Sequence, residues 1–175
     1  MKKVKLFFII LILSNFTSYS YSQSLAYANM DNIIKTSEVG KKIIIYFSDK
    51  NNNIINQLND KKKVIQEKEK SLLAQKNILE QDQYLKKVEE IKKEIDEFNI
   101  EQNKKISQIQ NEKSEVSKSF QIEINKILKE FAENNNIDII FSSNQMLIGK
   151  SSLDVTDDLL EVVNSKIKNF KINER

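Results

Sequence analysis

Apolar residues recur at helical spacing in the later part of the middle of the chain. Between residues 88 and 131, thirteen positions follow one another at steps of three or four residues, close to the 3.6 residues of an α-helical turn. Gln102 and Lys113 are the two polar positions. The other eleven are apolar, at Val88, Ile91, Ile95, Phe98, Ile106, Ile109, Val116, Phe120, Ile124, Ile127 and Phe131. The pattern predicts one continuous amphipathic helix.

The segment that precedes this helix carries a thinner pattern. An apolar residue recurs every seven positions, at Leu58, Ile65, Leu72 and Leu79. The positions between them are hydrophilic, at Lys61, Lys68 and Gln75. A coiled-coil heptad has two apolar positions, and this seven-residue repeat fills only one of them, so it supplies half of a coiled-coil seam.

Together the two patterns predict a long antiparallel coiled-coil hairpin over residues 41–134, which contain no Pro or Gly. We expect its tip between Leu79 and Lys87, because the midpoint of the segment lies there and Glu80–Gln83 interrupts the apolar spacing. The alternative is a single unbroken helix over the same residues, which the composition does not exclude. Asn51–Asn53 is a poor helix-forming run that could kink the first helix.

Both ends of the chain change character. Short β-type runs predict strands at Leu25–Met30, Ile137–Phe141 and Met146–Ile148. Asp31 is placed to cap a short helical turn, and either Thr36 or Ser37 is placed to cap the next helix. Gly40 weakens the start of that helix, so we interpret it as permitting a close backbone approach.

A last helix is predicted from Thr156, where a capping residue precedes two acidic residues that favour a helix N-terminus. Its apolar face comprises Leu159, Leu160, Val163, Ile167 and Phe170. The sequence therefore predicts a mainly α chain with a small β part.

Residues 1–22 have the pattern of a secretory signal peptide. Three Lys precede the unbroken apolar run Leu6–Leu13, and a polar stretch with small residues follows. Eight apolar residues form a helix of about 12 Å, much shorter than a bilayer core of ~30 Å. We therefore expect cleavage between Ser22 and Gln23 and export of the mature chain. An uncleaved signal anchor is the alternative.

Composition excludes several function classes. The chain has no His and no Cys, so the usual general base near neutral pH and the commonest metal ligands are absent. Removal of residues 1–22 leaves 25 basic and 25 acidic side chains, and only Arg175 is an arginine. We expect no enzyme activity, no cofactor, no metal site and no nucleic-acid partner. A neutral mature chain also gives no support to contact with a membrane surface.

The two ends of the mature chain, residues 23–40 and 135–175, are expected to form one small α/β body. At 59 residues it is of a size at which a hydrophobic core is marginal, and its few strands leave exposed edges. The long helices carry too few apolar residues to be rigid by themselves. An oligomer in which strands of different subunits pair with each other would enlarge the core and cover the strand edges, so we expect the chain to oligomerise through this body.

Several segments occur in an order that resembles a known family. A signal peptide is followed by Leu25–Asp31, Ser37–Lys42, a long charged hairpin, and a tail with Ile148–Lys150 and Asp154–Asp157. In this order and spacing, over essentially the whole mature chain, the sequence is similar to the Skp/OmpH family of periplasmic chaperones.

The resemblance implies a jellyfish-like homotrimer in the periplasm. Its β-strand trimerisation body is expected to include Ala26, Ala28, Ile137, Ile139, Phe141 and Leu147. Each subunit contributes one helical hairpin as a tentacle. The implied function is that of an ATP-independent holdase, which binds unfolded outer-membrane β-barrel proteins in a cavity between the tentacles and prevents their aggregation. The zero net charge departs from the basic family members, so we carry over no lipopolysaccharide site and assign no client-facing residues.

The alternative function is a structural one. A coiled-coil protein of the envelope could act as a spacer or tether without any client. The predicted strands favour the holdase, because a spacer does not need a strand-rich body that organises a cage. Suppression of the aggregation of a urea-diluted β-barrel protein distinguishes the two.

Overall fold

A computed structural model describes residues 23–172, and it confirms a mainly helical chain with a small β-sheet. The predicted signal peptide lies outside the described residues. In chain order the regular elements are β1 (Leu25–Ala28), α1 (Met30–Thr36), α2 (Glu38–Ala74), α3 (Gln81–Asn134), β2 (Ile139–Ser142) and α4 (Thr156–Lys166). Two single 3₁₀ turns, Ser143–Gln145 and Ser151–Leu153, lie between β2 and α4.

The two long helices α2 and α3 pack against each other as an antiparallel hairpin. Ser37 caps α2, as one of the two predicted capping residues, because its side-chain oxygen accepts a hydrogen bond of 3.1 Å from the backbone N–H of Gly40. Helix α2 continues through Asn51–Asn53 without interruption. Helix α3 is continuous over all thirteen positions of the predicted amphipathic helix.

The turn between α2 and α3 lies at residues 75–80, whereas we expected it between 79 and 87. The expectation assumed arms of equal length, but α2 has 37 residues and α3 has 54. Lys50 faces Glu112 and Lys68 faces Glu94 across the hairpin, which places Glu38 level with residue 124 of α3. The last ten residues of α3, 125–134, therefore extend beyond the start of α2 and lead into the body.

Helix α1 forms a tight corner with α2. Its N-cap is Asn29, whose side chain accepts a hydrogen bond from the N–H of Asn32 at 2.9 Å. The prediction that Asp31 is the cap is wrong, because the helix begins at Met30 and Asp31 lies in its first turn. The predicted close approach at Gly40 is present: a Cβ added there would lie 1.6 Å from the carbonyl oxygen of Ile34.

Strands β1 and β2 form a two-stranded parallel sheet in which Leu25 is opposite Ile139 and Ala28 is opposite Ser142. The prediction of a third strand at Met146–Ile148 is wrong: this segment has no regular structure. One reason is that another segment already bonds to β1. Asp154 forms a β-bridge with Tyr27, and the N–H of Val155 donates a hydrogen bond of 2.9 Å to the carbonyl oxygen of Tyr27.

The hydrophobic core lies where α1, α4, the base of the hairpin and the inner face of the sheet meet. Helix α4 buries Leu159 and Val163 and half-buries Leu160, as the sequence predicts. The helix ends at Lys166, so the buried Ile167 and the half-buried Phe170 pack on the core from beyond its end and not from its apolar face. Thr156 is the first residue of α4 and not its cap. Its buried hydroxyl accepts a hydrogen bond of 2.9 Å from the N–H of Asn29, and this bond joins α4 to the start of α1.

Candidate functional site

The two faces of the β-sheet differ sharply in burial. Ala26 and Ala28 of β1 are buried against the helices, and Ile140 of β2 is packed against the same core. On the opposite face, which we call the outer face of the sheet, Ile139 and Phe141 are both exposed at 44%. Of the predicted body residues, Ala26 and Ala28 therefore belong to the hydrophobic core of the chain, whereas Ile139 and Phe141 lie on its surface.

An exposed apolar face is unusual for parallel strands, because parallel sheets occur almost only where both faces are covered. Leu25 of β1 lies opposite Ile139 in the register and is also exposed. A two-stranded sheet is in addition marginally stable in water by itself. The apolar side chains of the outer face are therefore typical of a sheet surface on which another part of a protein packs.

The segment that was predicted to be a third strand adds to this apolar surface. Leu147 is fully exposed, Ile148 is nearly so, and the predicted body residue Ile137 is half-buried at the edge of the core. Gly149 lies against the ring of Tyr27, where an added Cβ would come within 2.8 Å of a ring carbon. This contact places the segment beside the outer face of the sheet.

The hairpin is held together by a ladder of polar pairs between α2 and α3. Its four rungs are Lys50–Glu112, Gln57–Lys105, Lys61–Glu101 and Lys68–Glu94. In every rung the two residue numbers add up to 162, so one register extends from the base of the hairpin nearly to its turn. Nζ–O distances in three rungs are between 2.6 and 2.9 Å. A single register is what an unbroken antiparallel coiled coil requires.

The ladder explains why the sequence showed only half of a seam. Each rung residue follows a seam position by three residues, as Lys61 follows Leu58 and Glu101 follows Phe98. Lys61 and Lys68 occupy the positions that an apolar residue fills in an ordinary heptad, and each reaches a glutamate of α3. A sequence signal for three of the four pairs existed, namely Lys on α2 and Glu on α3 at the third residue after a seam position.

The rung nearest the body is the most sheltered one. The hydroxyl of Tyr46 donates to Glu112 at 2.8 Å, and Lys50 bonds to both of them. Burial opposes ionisation of Glu112, but the hydrogen bonds from Lys50 and Tyr46 outweigh it, so the pKa of Glu112 lies below its usual value. The pKa of Lys50 is raised, chiefly because Glu112 accepts its hydrogen bond.

The distal half of the hairpin has little core. Of the described residues between Leu58 and Val116, only Leu72 is a buried apolar residue. Between the rungs at Lys61 and Lys68 a shallow groove of about 390 Å³ opens, with Val64, Ile65 and Phe98 at its apolar floor. Its rim carries Asp60, Glu94, Glu97 and Glu101. Low burial and exposed ion pairs make this half the less stable part of the fold.

Residues 23–172 contain neither a membrane-spanning helix nor a cluster of metal-binding side chains. No described helix has the length and apolar character needed to cross a bilayer. Over the same residues, no three acidic side chains come close enough to hold a metal ion.

Comparison with known proteins places the chain in a family. The model of the OmpH family, described as outer membrane protein (OmpH-like), matches residues 24–163. No curated protein matches the chain. A crystal structure of an OmpH-like protein from Caulobacter crescentus CB15, named as a candidate outer membrane chaperone, has the same fold with a TM-score of 0.79. The two chains are 12% identical, and the similarity covers 86% of this chain and 89% of the other. Because the family model spans most of its length, the chain belongs to the OmpH-like family.

Proposed function

We propose that the protein is an ATP-independent holdase of the periplasm, which binds unfolded outer-membrane β-barrel proteins between the hairpins of a homotrimer. Membership of the OmpH-like family and the fold shared with the Caulobacter protein support a role among such chaperones. The observation that carries the proposal is the division of the chain into a small body with an exposed apolar sheet face and a long arm whose distal half has little core. The body assembles the subunits and the arms hold the client.

Assembly rests on the outer face of the sheet. In the proposed trimer, Ile139 and Phe141 of each subunit are covered by the body of a neighbour, together with Leu25 and the exposed segment at Leu147. This arrangement resolves the exposure of a parallel sheet that is otherwise unexplained. It also protects the strand edges, which would promote aggregation if they were left open.

Client protection rests on the arms. Helix α3 has 54 residues and is therefore about 80 Å long, enough to reach far from the body. Three such arms enclose a volume, whereas one arm encloses none. A holdase that binds the unfolded client lowers its free concentration by mass action, and this step needs no nucleotide.

Export follows from residues 1–22. With cleavage after Ser22, the mature chain begins at Gln23, one residue before Ser24, whose N–H donates to the carboxylate of Asp138 at 2.7 Å. We expect amino-terminal sequencing of the protein from an envelope fraction to give Gln23 first. Recovery of the chain with Met1 intact in the membrane would favour the tether instead.

The test of the proposal uses the double variant Ile139→Asp/Phe141→Asp. Both side chains are 44% exposed in the single subunit, so a carboxylate at either position can reach solvent there, but in the trimer the new carboxylates would be buried without partners at a cost of several kcal/mol. We expect the variant to be monomeric by sedimentation equilibrium and to lose suppression of the aggregation of a urea-unfolded β-barrel protein.

The matched control replaces two exposed isoleucines of the arm, as Ile45→Asp/Ile122→Asp, which adds the same charge away from the sheet. It should remain trimeric. Full aggregation suppression by a verified monomer would show that an exposed amphipathic helix suffices, and the cage mechanism would have to be abandoned.

A further inference from the structure

The chain continues past helix α4 and packs back onto the fold. Helix α4 ends at Lys166, and residues 167–172, which follow it, have no regular structure. Three apolar side chains of this segment nevertheless pack on the hydrophobic core: Ile167 is buried, and Phe170 and Ile172 are half-buried. The last residues of a domain are poorly ordered unless contacts tie them down, and here these side chains supply the contacts. We call residues 167–172 the C-terminal brace.

The end of α4, just before the brace, contacts both long helices. The side-chain oxygen of Asn164 accepts a hydrogen bond of 2.8 Å from the backbone N–H of Glu38, the first residue of α2. Lys166 forms an ion pair with Glu130, in the part of α3 that extends beyond α2. Glu38 is level with residue 124 of α3, and we call this level the root of the arm. The two contacts of α4 therefore lie at the root and on the body side of it.

The brace crosses the root and reaches the arm. The ring of Phe170 packs edge-to-face against the ring of Phe120, with the ring centroids 5.5 Å apart and the planes at 66°. Phe120 is a core residue of the hairpin and is only 4% exposed. It lies four residues from the root on the arm side, a distance of about 6 Å along α3. The brace thus joins α4 of the body to the first turns of the arm.

The position of this contact gives it leverage over the arm. The arm extends from the root to Gln81, the first residue of α3, over about 65 Å. If the arm turned about its root as a rod, its tip would move roughly ten times as far as Phe120, which lies only about 6 Å from the root. A displacement of about 1 Å at Phe120 would therefore carry the tip through roughly 10 Å. A single aromatic contact at this place can restrict the direction of the whole arm.

We propose that the C-terminal brace sets the direction of the arm relative to the body, and that Phe170 transmits the restraint to α3. The brace acts within one chain, so the proposal goes beyond the proposed function and requires neither a trimer nor a client. Family membership does not assign this role, because the OmpH family model ends at residue 163 and the whole brace follows it. In the proposed trimer, the brace would limit how far the arms spread apart.

The competing explanation is that the brace only covers the core. Phe170 would then act like any other half-buried side chain on that core, such as Leu160 of α4. Replacement of either residue by Ala would lower the free energy of unfolding and leave the direction of the arm unchanged. Leu160 is thus a matched control, because it packs on the same core but belongs to α4 and not to the brace.

The test measures a distance between the arm and α4 within one chain. The protein has no cysteine, so spin labels can be attached at Lys62→Cys on the arm and Glu161→Cys on α4, two exposed positions. Labelled chain is mixed with an excess of unlabelled chain, so that only distances within one chain are recorded by pulsed electron paramagnetic resonance. Because α4 lies on the side of the arm that the brace holds, a swing of the arm away from the brace lengthens this distance.

The expected result follows from the same leverage. Lys62 lies about 36 Å from the root, roughly six times as far as Phe120. Each 1 Å of freedom that Phe170→Ala gives to Phe120 should therefore widen the distance distribution by about 6 Å. Leu160→Ala should keep the width of the wild type. Helicity, mass and the urea midpoint are measured in parallel, to show that both variants are folded and comparably destabilised.

Equal widening in both variants would show general loosening of the core, and widening in neither would show that the arm is held elsewhere; either result overturns the proposal. If Phe170→Ala fails to fold, Ile172→Ala, nearer the end of the chain, takes its place. It should widen the distribution to a smaller extent, because the contact between the two rings remains, and a distribution equal to that of the wild type overturns the proposal. A chain that is monomeric or protects no client would contradict the proposed function alone, since the measured distance depends on neither.

Discussion

Replacement of Gly40 by Ala should destabilise the protein although it puts a better helix former into a helix. Gly40 lies in the first turn of α2, where Ala would be favoured over Gly by up to about 1 kcal/mol. An added Cβ, however, would lie 1.6 Å from the carbonyl oxygen of Ile34 and 2.8 Å from the Ser37 side-chain oxygen that caps α2. Contact with a backbone carbonyl cannot be relieved by a side-chain rotation.

The loss of free energy of unfolding follows from how far the backbone has to move to accommodate the added Cβ. The corner between α1 and α2 would have to open by more than 1 Å, which displaces the fully buried Ile33 and the cap at Ser37. Overpacking of this kind costs typically 1–3 kcal/mol and occasionally more, and we expect the upper end because backbone must move. After subtraction of the propensity gain, the free energy of unfolding should fall by about 2 kcal/mol.

Gly149, the other glycine of the chain, provides the control. Its added Cβ would meet the end of Met146 and the ring of Tyr27, two half-buried side chains that can adjust, whereas Gly40 would meet backbone. Gly149→Ala should therefore cost less than about 1 kcal/mol. Urea denaturation at one fixed protein concentration measures both variants, since the proposed trimer would make stability concentration-dependent. If Gly40→Ala were neutral or stabilising while helicity was unchanged, the close packing of α1 on α2 would be refuted.

Three further predictions concern polar contacts. Because the pKa of Glu112 is lowered in the folded chain, its stabilising contribution is present above the ordinary value of 4.5 and is lost as the pH falls through the lowered value. Glu112→Gln, which removes the partner of Lys50, should thus be less stable than the wild type at pH 7, with a urea midpoint that converges on the wild-type value at lower pH. Thr156→Ala leaves a backbone N–H without its acceptor and should cost about 1–3 kcal/mol, whereas Thr156→Ser should retain most of the stability in thermal unfolding. Lys61→Glu should lower the free energy of unfolding of the arm slightly, because the pair with Glu101 is solvent-exposed, and the added swap Glu101→Lys should restore it in a double-mutant cycle.

Periodicity predicted the long helices because a 3.6-residue pattern is a local property of the sequence. The continuous helix around Phe98, the cap at Ser37 and the close approach at Gly40 were all predicted from nearby residues, and the structure confirms them. The turn of the hairpin was displaced because its position depends on how far α3 extends past α2. No local pattern reports the length of that overlap.

The prediction of a third strand was wrong for a related reason. Met146–Ile148 has a β-type composition, but a strand also needs a partner edge, and the backbone at Asp154 already bonds to β1. The pairs of the ladder were not predicted, because Lys61 and Lys68 were interpreted only as hydrophilic positions in the seven-residue repeat. Pairing with particular glutamates depends on the register between two helices, which becomes visible only when both are placed together.

The central claim is that three copies of the mature chain hold one unfolded client. Sedimentation velocity of the chain from Gln23, alone and after addition of a urea-unfolded β-barrel protein, tests it most directly. The account predicts a discrete species of three chains, which is converted by the client into one heavier species with three chains and one client. A monomeric chain that gives no complex, while the client sediments as aggregate, would contradict the account.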